Sequence, residues 1–535
     1  MAAAVNNLNQ VVVTGYKKES IAGLYARQKN SASTTDGITA EQIARTPDNN
    51  VAQVLSRVSG LNVQEGKYVT VRGLSDRYNN VMLNGSQLPS TEPNKRNFAF
   101  DIIPSSMIDN VIVHKTASAN LSGEFSGGIV EVETRSIPTE NFFRIKVGTG
   151  MNTKGKGFDG AEYDRLAFNN NNTPADDNRR NELLQKFPNR FKMYNYGGMP
   201  VQEYDISGGR VSNFKNGNRF GIIAGLTYRN QQTATDYLDQ LEKNQYFKYE
   251  GTEYDFSTTW SAMLNTGYSF GKNKIGFKNI YSRKLAEQSY LFSGKDLYDG
   301  NFVDGVANTP LINSILQSRL EGEHKVGEKG PLLKWHGSLS RTEREEPDNK
   351  THIGYSKDSV VYQYVWRADA LQFSNNYSST FTEDRYTWAA EADMPFELLG
   401  RKQLVKGGYQ GSYRKADFSG QMYAIPGDYL LYDGLPYYDA FAPENFKVGG
   451  LSYAPYIGNP NAVGKSNGYN GFQRLNSGYL MFDGKLLKAL RLVAGMRMEH
   501  NVTANRSAQI ERVEGVSVQR DSLVQIDKVD WLPSA

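Results

Sequence analysis

A two-residue alternation that recurs from Phe142 onward constrains this chain more than any other feature. In "NRFGIIAGLTYRN", Phe220, Ile222, Ala224, Leu226 and Tyr228 fall on one side of an extended backbone. Gly221, Ile223, Gly225, Thr227 and Arg229 fall on the other. "WSAMLNTGYSF" sets Ala262, Leu264, Thr266, Tyr268 and Phe270 against Ser261, Met263, Asn265, Gly267 and Ser269. In "YTWAAEADMPF", Trp388, Ala390, Ala392, Met394 and Phe396 oppose Thr387, Ala389, Glu391, Asp393 and Pro395. "LRLVAGMRMEH" repeats the split, with Arg497 and Glu499 on the face opposite Leu492, Met496 and Met498. Roughly eleven such segments, many about 10 residues long with aromatics at an end, follow the pattern of membrane β-strands with aromatic girdles. The links between them are short in some places and long and polar in others, which fits a barrel with tight turns on one side and large loops on the other. A soluble β-sandwich or propeller is the competing reading, but a propeller would repeat a blade-length motif and none is visible.

Composition agrees with strands that are apolar on one face only. The chain has 51 Gly, 33 Tyr and 25 Phe, yet only 39% of its residues are hydrophobic. No run approaches the ~20 apolar residues of a transmembrane helix. "MAAAVNNLNQ" has neither a basic n-region nor an apolar h-region. The chain is therefore expected to be soluble, or to be a membrane barrel whose signal peptide has been removed. Its 535 residues exceed one ordinary domain. With 61 Lys and Arg against 57 Asp and Glu, the net charge of +4 calls for no nucleic acid and no anionic surface. Cysteine is absent, which rules out a disulfide scaffold, thiolate metal sites and cysteine nucleophiles.

Before Pro138 the texture is a compact α+β mixture. "TAEQIARTP" predicts a helix starting at Thr39, with Gln42 in capping-box position and a stop before Pro47. "DNNVAQVLSRVSG" predicts a second helix, capped by Asp48 and ended by Gly60, with Val51, Val54, Leu55 and Val58 on one face. "LNVQEGKYVTVRG" alternates as a hairpin, "IPSSMIDNVIVHK" reads as a helical turn leading into a strand, and "GGIVEVETR" alternates again. Val51, Val54, Leu55, Val58, Val111 and Val113 are the expected core. "VTVRGLSDRYNNVMLNG" places Arg72 and Arg77 beside Asn84-Gly85, a pair suited to a turn with positive φ at both central residues.

This order of motifs resembles the TonB-dependent outer-membrane receptors over about the first 137 residues. "QVVVTGY" resembles the family's energy-coupling TonB box or the stretch beside it, and "NNVAQVLSRVSGLNVQ" the first plug helix and strand. "VTVRGLSDRYNNVMLNGSQLP" resembles the plug's arginine-glycine motif and hairpin, and "GEFSGGIVEVETR" its glycine-rich exit. The resemblance implies an N-terminal extended segment over 1–29, a plug over 30–138, and a transmembrane antiparallel barrel from 139 to 535. The family's barrel has about 22 strands, and "DKVDWLPSA" looks like the start of a mid-barrel strand. An open half-barrel would leave unpaired edges in lipid, so the sequence is expected to be part of a longer protein.

The resemblance assigns roles as well. Gln10, Val11, Val12, Val13, Thr14 and Gly15 would add as a strand to an inner-membrane-anchored TonB-type protein. Arg72 would tie the plug to barrel glutamates, for which inward-phased Glu391 and Glu499 are the candidates. Gly73, Arg77, Asn84, Gly85, Gly127 and Gly128 complete the plug motif. Gly127-Gly128 leads into a strand rather than a helix, so it is no phosphate cradle.

Catalysis finds no start. His114, His324, His336, His352 and His500 are scattered without metal-ligand spacing, and no Gly-x-Ser-x-Gly elbow occurs. No cofactor and no metal are expected. Active uptake of a small ligand, oligosaccharide or peptide through an outer-membrane barrel is the first expectation. A barrel that anchors a surface lipoprotein or secretion assembly is the alternative. A signalling member would need an added domain, for which there is no room before Val11. The aromatic stretch Tyr429–Tyr438 suits stacking on a sugar or peptide, but does not name a substrate.

Overall fold

The computed structural model of the chain describes residues 20–135, 137–151, 159–160, 194–195, 197–240, 247–296, 300–328, 330–359, 375–398, 401–424, 434–435, 437–445, 450–451, 454–456, 467–485, 487, 490–513 and 516–535.

The first unit follows local chemistry closely. It runs α1 (Ile21–Asn30), β1 (Thr35–Thr39), α2 (Ala40–Ile43), α3 (Val51–Leu55), β2 (Leu61–Gln64), β3 (Tyr68–Val71), β4 (Asn80–Leu83), β5 (Ser86–Gln87), β6 (Ile108–His114) and β7 (Ile129–Thr134). Thr39 and Gln42 form the expected capping box of α2. The cap of α3 differs from expectation. Asn50 accepts from the Gln53 N–H, while Asp48 lies outside the first turn and pairs with Arg57. The expected extended segment over 1–29 also needs correction. Ser20 caps a helix from Ile21, and Leu24 is buried, so the end of that segment docks as α1.

One sheet orders β1-β6-β7-β4-β5, with β4 and β7 parallel, and β2 pairs β3 as a separate hairpin. Val51, Val54, Leu55, Val58, Val111 and Val113 are all buried.

The rest is a wall. Its strands are β8 (Phe142–Gly150), β9 (Asp159–Gly160), β10 (Tyr194–Asn195), β11 (Val201–Asn213), β12 (Arg219–Gln240), β13 (Phe247–Phe270), β14 (Asn273–Asp296), β15 (Phe302–Lys325), β16 (Leu332–Ser356), β17 (Asn375–Leu398), β18 (Arg401–Ala424), β19 (Ala454–Tyr456), β20 (Asn467–Lys485), β21 (Arg491–Val513) and β22 (Val516–Ser534). β9 and β10 pair only with each other. Twelve of the described strands form one antiparallel path, β8-β11-β12-β13-β14-β15-β16-β17-β18-β20-β21-β22, with β19 added beside β18. The path follows chain order, as in a meander, passing over β9 and β10 between β8 and β11 and over β19 between β18 and β20. Among the described residues, β8 pairs only with β11 and β22 only with β21.

The strands outrun the expected ten residues. β13, β14 and β15 each have 24. The one-sided apolar pattern marks only part of each strand, and about 9–11 residues is the length a tilted strand needs to cross a bilayer. The polar continuation beyond that part carries no such pattern.

The phase of the alternation decides which face each residue takes. On β12, Leu226 is 59% exposed on the outer face and Ile223 2% on the inner. Ser261, Met263, Asn265 and Gly267 face inward on β13, as Thr387 and Ala389 do on β17. The inner face closes over the first unit. Ile223, Met263, Ile280 and Ile315 join its buried apolar cluster.

An arginine in the outer belt should therefore be costly. Leu226→Arg is expected to destabilise the folded wall in lipid vesicles by about 2–4 kcal/mol near the bilayer midplane. Urea titration monitored by gel mobility checks this.

Candidate functional site

The candidate site is the seam between the first unit and the inner wall, and it begins at the opening motif. Asn84 and Gly85 have φ of 53° and 78° and join β4 to β5. This turn aims Asn84 into the seam. Its Oδ1 accepts from the Thr134 N–H and hydroxyl on β7, both at 2.9 Å. Its Nδ2 donates to Gln317 Oε1 on β15 at 3.1 Å. Gln317 Nε2 returns a bond to the Leu83 carbonyl at 3.1 Å. Beside the turn, Arg319 Nη1 donates to Ser86 Oγ at 2.6 Å.

Around the seam the wall mostly donates and the plug accepts. Arg385 Nη1 reaches Gln87 Oε1 at 2.7 Å. Arg344 Nη1 reaches Glu92 at 2.9 Å, and Tyr68 shares that carboxylate. Arg414 pairs with Glu383, whose other oxygen accepts from the Ser90 N–H. Arg497 donates to Gln410, Ser477 and the Ala119 carbonyl. On β14, Ser282 donates to the Ile102 carbonyl and Lys284 pairs with Asp101. Arg491 on β21 donates to the carbonyls of Lys29, Asn30 and Ser31, closing the C-terminal end of α1. Buried charges are tolerable only when partnered in this way.

The structure corrects the expected latch. Arg72 does not reach Glu391 or Glu499. It has φ of 54° just past β3, and its guanidinium turns back onto its own domain. Nε and Nη2 donate to the Gly127 carbonyl at 3.2 and 2.9 Å, and Nη2 to that of Ser126 at 3.2 Å. The two glutamates are satisfied by other groups. Glu391 accepts from Gln410 at 2.8 Å. Glu499 accepts from Arg497 at 2.6 Å and from the Gly123 N–H at 3.0 Å, so it does bind the plug, through backbone.

The remaining motif residues build the hairpin's own frame. Arg77 is exposed and lies over the Tyr78 ring. Gly73 has φ of 76°. Gly127 permits a close approach, since a Cβ there would sit 2.0 Å from Asn79 Oδ1. At Gly128 a Cβ would sit 2.9 Å from the His114 carbonyl. Gln10–Gly15 and most of Tyr429–Tyr438 lie outside the described residues.

Sequence reasoning missed the wall arginines. The signal was available in Arg497, which shares the inward phase of Glu499. With the plug's arginine as starting point, only carboxylates were sought on the wall.

Glu124 on the plug gathers three side-chain partners. Arg96 and Gln87 donate to one oxygen at 3.0 and 3.2 Å, and Gln473 on β20 to the other at 2.8 Å. Burial alone would raise its pKa, but the charges of Arg96 and Arg385 and the hydrogen bonds from Gln473 and Gln87 hold it at about 2. Because this lies below the ordinary value of 4.5, the stabilisation is full above that pH and is lost as pH falls through about 2. Small-solute conductance through the protein in planar bilayers should stay flat from neutral pH to about 4.5 and rise below it. Glu124→Gln should raise it at neutral pH and remove that acid-dependent step. Gly127→Ala should lower plug stability by about 1–3 kcal/mol, because Asn79 must move. The urea dependence of plug proteolysis measures it.

Comparison with known proteins places the first unit in a family. Residues 27–130 match the family model described as TonB-dependent Receptor Plug Domain. No curated protein matches the chain. Among solved structures, the siderophore receptor PiuA from Acinetobacter baumannii is 12% identical, with a TM-score of 0.49 over 94% of this chain and 62% of that one. The ferric-catecholate import receptor Fiu from K12 E. coli is 11% identical, with a TM-score of 0.48 over 94% and 62%. The ferric yersiniabactin uptake receptor FyuA from Yersinia pestis is 10% identical, with a TM-score of 0.40 over 89% and 75%. The chain thus spans less than two thirds of the first two. Residues 27–130 are thus a TonB-dependent receptor plug domain, seated on the inner face of an antiparallel β-wall.

Proposed function

We propose that the protein is an outer-membrane transporter that imports a small ligand past its plug, energised by an inner-membrane-anchored partner that pulls on Gln10–Gly15. In this reading residues 1–20 are the handle, 21–138 the plug and 139–535 the wall. The observation that carries it is the seam. A domain meant only to close a barrel is best held by apolar packing, which water cannot replace. Here much of the contact is single hydrogen bonds such as Arg385 to Gln87 and Gln317 to the Leu83 carbonyl. Exchanging such a bond for one to water costs a net of about 1 kcal/mol for a neutral pair and about 1.5–3 kcal/mol where one partner is charged. Such a seat holds at rest and yields to a directed pull.

The handle suits its role chemically. Val11, Val12 and Val13 are β-branched and favour the extended backbone that strand addition to a partner's sheet edge requires.

Deletion of Gln10–Gly15 tests the reading. Growth on a panel of nutrients first identifies the ligand, and whole-cell uptake of that ligand is then measured. Uptake should fall to background while outer-membrane abundance is unchanged. Uptake at the parental rate would overturn energy coupling and leave the anchoring role.

A further inference from the structure

The plug meets the described wall in two different ways, and the two are separated laterally. Along β12 to β15 a buried apolar cluster joins plug and wall, beside hydrogen bonds such as Ser282 to the Ile102 carbonyl and Gln317 to the Leu83 carbonyl. Ile223, Met263, Ile280 and Ile315, one from each strand, belong to the same buried cluster as Met107, Ile103 and Val111 of the plug. The plug's exit is fixed beside them. Ile137 fits notches left by two glycines, since a Cβ on Gly221 would lie 2.0 Å from its side chain and one on Gly267 1.9 Å. A Cβ on Gly209 would lie 2.8 Å from Pro138. Asn265 Nδ2 donates to the Arg135 carbonyl at 2.7 Å, and Arg219 Nη2 to that of Pro138 at 2.6 Å.

Along β16 to β21 the contact is polar. Arg385, Gln410, Gln473, Arg497 and Glu499 reach the plug by hydrogen bonds to Gln87, Asn120, Glu124, Ala119 and Gly123. The buried apolar contact there is small, Ala119 against Tyr479 and Met481. Between plug and wall on this side lies a cavity of about 80 Å³, lined among others by Gln87, Ser122, His336, Gln410, Ser412 and Arg497. Met82, Leu121, Trp388 and Leu475 also line it, so its walls mix polar and apolar groups, and a space of that size holds several waters where the polar groups can bond them. On the same side Arg491 on β21 holds the end of α1, the described element nearest the N-terminal segment.

Separating the first contact exposes apolar surface to water, whereas separating the second exchanges hydrogen bonds for equivalent bonds to water. We propose that the plug swings about its β12–β15 side and that the passage opens along β16–β21, with the cavity beside Gln410, Ser412 and Arg497 as its first hydrated step. A solute on this path meets hydrogen-bonding groups such as Gln87, Gln410 and Ser412, so polar groups on it are favoured there. The inference rests on the transport reading above.

The chain has no cysteine, so single cysteines report alone. Ser412→Cys lies on the cavity side and Ser207→Cys on the inner face of β11, and both native serines are buried. Labelling by a small charged methanethiosulfonate is followed in cells with and without the proton gradient, in the presence of the transported nutrient. The gradient should accelerate labelling of Ser412→Cys severalfold and leave Ser207→Cys unchanged. Ser122→Cys, on the plug side of the same cavity, should behave like Ser412→Cys. Acceleration at Ser207 alone, or equally at both walls, would overturn the sidedness while plug displacement stands. No acceleration at any site would overturn plug displacement, and the sided opening with it.

Discussion

A wall one residue thick presents one face outward and the other to a folded domain, and the rest of this structure depends on that division. Consecutive side chains of a strand point to opposite faces. The outer set, such as Leu226 and Leu480, is therefore apolar and exposed, while the inner set is chosen by the plug. Within the bilayer each backbone group needs a partner, which only the antiparallel ladder supplies. Between β12 and β13 that ladder runs unbroken from Arg219–Ser269 to Gln240–Lys248. A one-residue slip anywhere along it would expose Ile223 and Met263 and bury Leu226 against the plug.

The inner set must then solve a charge problem. A plug built around a conventional core still presents polar backbone at strand ends, turns and loops, here the Leu83, Ile102, Ala119 and Asn120 carbonyls. The wall answers with donors: Gln317, Ser282, Arg497 and Gln410. Arginine suits this position because it stays charged at any relevant pH and offers several donors in one plane. Arg497 uses that fully, bonding Glu499, Gln410, Ser477 and the Ala119 carbonyl at once while nearly excluded from solvent. The acid sensitivity expected from Glu124 is the counterpart on the plug, where one carboxylate collects Arg96, Gln87 and Gln473.

What could be read in advance was whatever depends on a residue's near neighbours in sequence. The capping box at Thr39, the hairpin of β2 and β3, the Asn84-Gly85 turn and the strand phases are all local, and they stand as expected. The cap of α3 was misplaced by two residues, from Asp48 to Asn50, because both side chains can cap and only the long-range pairing with Arg57 removes Asp48 from contention. The Arg72 latch failed for a related reason. Its donors could reach carboxylates on a distant wall or carbonyls in the loop beside it, and its left-handed backbone, invisible in the sequence, turned it to Ser126 and Gly127. Contacts across hundreds of residues, such as Gly123 to Glu499, depend on the register of the whole sheet.

Asn84 shows how local and distant constraints meet in one residue. Its left-handed conformation is affordable for asparagine and strained for most others. The turn needs that conformation for the β4–β5 hairpin. The same conformation points the amide at β7 and β15 together, with its oxygen on Thr134 and its nitrogen on Gln317. Hairpin, exit strand and wall are thus joined through one side chain whose orientation is set by the turn. β15 is also where the apolar seat of Ile315 gives way to the polar seat of Gln317, two residues on along the same inner face. The joint therefore stands at the boundary between the side of the plug that packs and the side that hydrogen-bonds, which is where a swinging domain needs its axis.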